Sequence, residues 1–227
     1  MRHDKGFVCW LVCFVLGAAG FGNASWAEDA SRAAQDPDQR WIGGYAARGE
    51  HHHLWSSGDY VGYENAAAAG FVEWPTAWPL PLPIRTEQTL RAELRYEHLW
   101  GTIALLENQV PAEERHGGPY STTLDHQQVA SLLVRRFIFL PDHTFRPTIH
   151  VGAGLSILDH RILKEGTLYN FNFLGGCGSE IDLIGEWSAF VDVRWEHFSN
   201  GGSIYLTDAA VIGLESVSGV VGLRRAF

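Results

Sequence analysis

The chain has 227 residues, 46% of them hydrophobic, and carries a formal net charge of −9 at pH 7. That length suits one domain with a substantial buried or lipid-facing surface. The acidic balance excludes the basic footprint of a nucleic-acid-binding protein.

The first residues read as a targeting segment. Arg2 and Lys5 give a positive start, Phe7 to Phe21 is apolar with small residues mixed in, and Ser25-Trp26-Ala27 offers a small-residue cleavage site. Cleavage is expected after Ala27, so residues 1–27 form a signal peptide. The run is too short and too rich in Gly and Ala for a good membrane anchor. No Cys follows the cleavage site, which excludes a lipoprotein. Arg2, Lys5 and Asp4 together carry +1, so the 200 residues that follow Ala27 carry −10. Cys9 and Cys13 leave with the signal, and Cys177 alone cannot form an intrachain disulfide. It reads as a small residue on an apolar strand face rather than a reactive nucleophile. No second apolar run approaches the roughly 20 residues of a membrane helix, so membrane residence would require a β-barrel.

Residues 28–40 are polar and read as a flexible arm, with the barrel expected over 28–227. Trp41 to Tyr45 and Tyr60 to Tyr63 look like short strands, whereas Ala66 to Ala69 and Pro75 to Pro83 give no clear register. His51-His52-His53 reads as an exposed loop, because three consecutive side chains point in different directions. From Thr89 to Trp100 the alternation is strict. Leu90, Ala92, Leu94, Tyr96 and Trp100 share one face, and Arg91, Glu93, Arg95 and Glu97 the other. Strands follow at hairpin spacing over Gln128 to Leu140, Arg146 to Ile157, Tyr169 to Ile181, Trp187 to His197 and Leu214 to Phe227. Gly152 and Gly154 suit a curved wall.

A soluble sandwich also has amphipathic strands. Three features favour an outer-membrane barrel: the signal peptide, several charges per strand opposite each apolar face, and a terminal strand ending on Phe227. Trp100, Trp187, Trp195 and Phe227 near strand ends suit interfacial girdles. The expected fold is all-β, a transmembrane antiparallel barrel of eight strands.

The segment Glu196-His197-Phe198-Ser199-Asn200-Gly201-Gly202 ends the penultimate strand. On residue types alone it is a strand finishing in a polar Asn-Gly turn. Parity argues otherwise. His197 and Ser199 continue the odd series of Val191, Val193 and Trp195, so they emerge on the apolar, lipid-facing side. Glu215 shares parity with Val217, Gly219, Val221 and Leu223. The last two strands form an antiparallel hairpin, so Glu215 begins its strand where His197 and Ser199 leave theirs. Unpaired polar groups facing lipid are costly and usually mark function. A last strand that ends in the periplasm begins at the cell surface, which places this patch in the lipopolysaccharide leaflet.

On these residues the sequence resembles the lipid A 3-O-deacylase family, the PagL-like outer-membrane esterases. His197-Phe198-Ser199-Asn200 matches their His-x-Ser-Asn motif at the end of the seventh strand, and Glu215 matches the Glu that opens the eighth. The likeness runs from about Arg146 to the C-terminus. The loop from Gly201 to Gly213 is a few residues longer than usual in the family, which makes Asp208 an alternative acid. Glu215, at a strand start, is preferred over a residue in a loop. The resemblance implies a serine esterase acting on the 3-hydroxyacyl ester of lipid A. In it Ser199 is the nucleophile, His197 the base and Glu215 the residue that orients the imidazole. Asn200 and Gly202, with the Gly201 backbone, are the oxyanion-hole candidates, and Trp195 and Val193 an acyl-chain track. No metal or cofactor is called for, the expected partners are lipid A and outer-membrane lipids, and the resemblance allows a homodimer. Two alternatives stay open: a non-catalytic small barrel (structural protein or adhesin), and another lipid-modifying barrel such as a phospholipase.

Overall fold

A computed structural model describes residues 39–51, 62–82, 85–105, 116–117, 120–161, 168–199 and 213–227. Eight strands occupy them: β1 (Trp41–His51), β2 (Tyr63–Pro75), β3 (Thr86–Leu105), β4 (Tyr120–Phe139), β5 (Phe145–Leu158), β6 (Tyr169–Asp182), β7 (Trp187–Ser199) and β8 (Gly213–Ala226). Each pairs antiparallel with its sequence neighbours, and β1 pairs with β8, closing the barrel. Closure leaves no free sheet edge along the length that all eight strands share.

The period-two pattern sorts side chains to two unlike environments. Ile42, Val72, Leu94, Val129, Leu133, Val151, Leu155, Phe173, Val191 and Val221 are exposed on the outside. In water such a surface would be strongly unfavourable; in a bilayer it is the expected one. Among the described residues no helix is long and apolar enough to cross a membrane.

Inside, the buried charges number six arginines (Arg91, Arg95, Arg136, Arg146, Arg194, Arg224) and six carboxylates (Glu73, Glu93, Glu97, Glu180, Asp192, Glu196) among the described residues. They interlock across the lumen. Glu73 accepts from Arg91 Nε at 2.8 Å, Arg136 Nη1 at 2.9 Å and Arg224 Nη1 at 3.0 Å. Glu180 accepts from Arg136 at 3.1 Å, Arg146 at 2.6 Å and Arg224 at 2.5 Å. Higher up, Glu93 takes Tyr45 and Arg194, while Glu196 takes Arg95. The lumen is therefore filled by salt bridges rather than open. Apolar rings intercalate with the ions, as where the Arg91 guanidinium lies 3.7 Å from the centre of the Phe71 ring.

Two rims differ. At one rim the β4–β5 and β6–β7 connections are short, beside the longer β2–β3 connection. The β6–β7 hairpin turns at Gly185, whose positive φ of 67° favours glycine, and Leu183 N donates to Trp187 O across it at 2.8 Å. The β1–β2, β3–β4, β5–β6 and β7–β8 connections belong to the other rim. The lumen narrows there into an apolar cluster of Tyr63, Leu99, Ile103, Leu124, Leu158, Phe198 and Leu214. Gly101 sits beside this cluster at φ 129°, where a Cβ would fall 2.8 Å from Gly62 O and Tyr63 Cα.

The strand readings hold, with extensions. The Ala66–Ala69 run is central in β2, and β4 begins eight residues before Gln128. Cys177 lies on the outward series of β6, partly covered. His51 ends β1, while His52 and His53, the residues up to 38, and Tyr60–Val61 lie outside the described residues.

Candidate active site on the outer wall

The β7–β8 register decides the geometry. His197 pairs with Glu215, Trp195 with Val217 and Ser199 with Gly213. All three candidate residues belong to the outward series, because the alternating even residues Glu196, Phe198, Leu214 and Ser216 are buried in the barrel. Cross-strand partners on one face stand about 4.5–5.5 Å apart at Cβ, so an acid opposite a histidine is within reach without any loop. His197 Nδ1 lies 3.5 Å from Glu215 Oε1. That separation is at the long end of hydrogen-bond reach.

The side the carboxylate takes matters. With Nδ1 facing Glu215, Nε2 is the ring nitrogen left for a hydroxyl and its proton. Ser199 projects from the same face two residues further, about 6.6 Å along the strand by the ordinary rise. The pair is half-sheltered, His197 at 31% and Glu215 at 15% side-chain exposure. The acid is thus the more shielded member.

Three features hold this ledge in place from beneath. Phe198, between the His and the Ser, and Leu214, next to the Glu, both point into the apolar cluster under the rim. Tyr63, reaching from β2, donates its hydroxyl to the Glu215 carbonyl at 2.9 Å. Nothing in the local sequence marks Tyr63, which lies 152 residues away from Glu215; only closure of the barrel brings the two together. Outside, the Trp195 and His197 rings stack with centroids 6.2 Å apart. Phe173 and Phe171 on β6 pair with His197 and Ser199. The site is therefore walled by apolar side chains on the bilayer side, with Val193 and Gly219 continuing below it.

The structure brings His197, Ser199 and Glu215 to one outward patch at the rim. Asn200, Gly201, Gly202 and Asp208 lie outside the described residues.

Several solved structures are similar in fold to this chain. One is the crystal structure of the outer membrane enzyme PagL, 18% identical, covering 79% of this chain and 97% of that one with a TM-score of 0.46. Neisserial surface protein A is 9% identical over 83% of this chain and 97% of that one, TM-score 0.45. The outer membrane protein OprG from Pseudomonas aeruginosa is 10% identical over 83% of this chain and 95% of that one, TM-score 0.42. No curated protein matches the chain. The family model for lipid A 3-O-deacylase (PagL) matches residues 43–224, which is β1 through β8 almost entire, and on that match the chain belongs to the lipid A 3-O-deacylase family.

Proposed function

We propose that the chain is a serine-type lipid A 3-O-deacylase of the bacterial outer membrane, exported by a signal peptide over residues 1–27, with Ser199, His197 and Glu215 as its catalytic group. The observation that carries this reading is the His197–Glu215 pair, set opposite each other on the outward face of the last hairpin beside Ser199. A paired acid and base on a lipid-facing wall have no structural task there that Val or Leu would not perform better.

The reaction follows from the placement. The substrate lies beside the wall, its 3-hydroxyacyl ester at the rim and its chains along Trp195, Val193 and Val217. Ser199 Oγ attacks the ester carbonyl as His197 Nε2 takes the hydroxyl proton, and Glu215 holds the resulting imidazolium. The tetrahedral oxyanion is met by Asn200 and the Gly202 backbone. Collapse breaks the bond to the sugar oxygen, and His197 returns the proton to that leaving oxygen. Water, deprotonated by His197, then frees Ser199 and releases a 3-hydroxy fatty acid. The site lies at the rim where β7 ends and β8 begins, and in this reading that rim is the cell-surface end, facing the lipopolysaccharide leaflet.

The test is product analysis with purified lipopolysaccharide and the refolded barrel. Wild type is expected to release one free 3-hydroxy fatty acid per lipid A and to leave a free sugar hydroxyl. Ser199→Ala is expected to retain the folded barrel and lose this release by at least about a thousandfold. Release of a glycerophospholipid fatty acid instead would assign the site to a phospholipase, and no release from a folded wild type would leave a non-catalytic barrel.

A further inference from the structure

A second cluster of polar side chains stands at the same rim on the far side of the barrel. Here β4 passes the residues that follow β5. Asp159 is the first residue after β5, and its N–H donates to Gln127 O of β4 at 2.9 Å. This tether brings the Asp159 and His160 side chains over His126. His126 Nδ1 is 3.5 Å from Asp159 Oδ1, and His160 Nδ1 is 2.8 Å from the same oxygen. The two imidazole rings face each other with centroids 3.9 Å apart. One ligand atom from each of the three residues lies within 4.8 Å of those of the other two.

Two details distinguish this group from ordinary surface polarity. His126 is 3% exposed, and its Nδ1 is buried without a hydrogen-bond partner. A buried polar atom left unmatched costs about 1–3 kcal/mol unless something else satisfies it. The neighbouring residue, Asp125, takes no part, since it points outward to His98 at 2.8 Å. The orphan nitrogen thus lies beside the Asp159 carboxylate and the His160 ring.

We propose that His126, Asp159 and His160 form a binding site for a divalent transition cation of the zinc type. Two imidazoles and one carboxylate are a donor set that such ions favour over calcium or magnesium, with a fourth position left for water. Ligand bonds of about 2.0–2.1 Å in a tetrahedron set donor atoms roughly 3.3 Å apart. The His126–Asp159 separation already matches. Turning the His160 ring, which is 59% exposed, brings the third donor to that spacing. The ion would clip the β5–β6 connection to β4. It plays no part in ester cleavage, and the proposal does not depend on the deacylase reading.

The test is calorimetric titration of ZnCl2 into the EDTA-stripped, refolded barrel, with His51, His52 and His53 replaced by Ala to silence that run. One saturable Zn2+ per chain is expected, with a rise in melting temperature. His160→Ala and Asp159→Asn, both at exposed side chains, are expected to weaken binding at least tenfold and to abolish that rise. Heat-modifiable gel mobility confirms that each variant is folded, and His197→Ala is expected to bind as wild type does. Absence of saturable binding by the folded wild type overturns the proposal. Unchanged affinity in both His160→Ala and Asp159→Asn overturns it equally.

Discussion

A histidine and a serine two residues apart on a strand share a face, but sharing a face does not make a catalytic pair. What distinguishes His197 is the carboxylate across the ladder: Glu215 is its register partner and approaches Nδ1 rather than Nε2. The role proposed for Glu215 is to fix the tautomer and stabilise the imidazolium, and it requires charge as well as shape. Glu215→Gln preserves the volume and removes the charge, so kcat is expected to fall on the order of 10²- to 10⁴-fold with little change in KM. Initial rates of 3-hydroxy acid release measure this. A variant as fast as wild type would remove Glu215 from the mechanism and return attention to Asp208.

At the scale of elements, the last hairpin is a ledge whose outer side holds the proposed catalytic residues and whose inner side is packed. Phe198 is 2% exposed within the apolar cluster beneath the rim. Phe198→Ala is expected to cost about 3–5 kcal/mol of stability, read from urea unfolding in detergent or lipid, and to lower activity through loosening of the flanking His and Ser. Removing the Tyr63 hydroxyl in Tyr63→Phe releases the Glu215 carbonyl and is expected to cost about 1 kcal/mol. The strands of this hairpin were legible because strict alternation runs through both of them. β1 and β2 were harder to read. Ala66 to Ala69 has no polar–apolar contrast, so nothing local shows which residues face inward. The glycines of β6 were only half legible. Gly175 lies on the outward face, but Gly176 points inward, where a Cβ would fall 2.4 Å from His150 Nε2. Gly176 makes room for the His150 ring of the neighbouring strand, a contact of tertiary origin. The contact of Tyr63 with Glu215 is a product of closure, and that of His126 with Asp159 depends on the β4–β5 register; neither is visible to local pattern.

For the whole molecule, the salient property is inversion: charges inside and hydrocarbon outside. The alternation of charge with apolar residues announced this, but the partners inside could not be read from it, because which Arg meets which Glu depends on how far each strand is sheared against the next. Glu73, from β2, receives guanidinium groups of β3, β4 and β8. Glu73→Gln leaves three buried cations short of a counter-charge and is expected to destabilise the barrel by about 3–5 kcal/mol, measured as a lowered urea midpoint. On the outer wall the opposite rule holds. Val221, exposed outside β8, is expected to tolerate Leu but to cost about 2–4 kcal/mol as Arg, read as a lowered urea midpoint for the barrel refolded in lipid vesicles. Neither change touches the His197–Glu215 pair, so both separate the stability of the wall from the chemistry carried on it.

The central claim is that an outward-facing Ser199, His197 and Glu215 remove an ester-linked chain from lipid A. The most direct measurement is the mass of lipid A extracted from outer membranes containing wild type or Ser199→Ala at equal levels of folded barrel. Loss of a single 3-hydroxyacyl mass is expected with wild type, and intact lipid A with Ser199→Ala. The same lipid A mass in both membranes, whether shortened or intact, would contradict that claim.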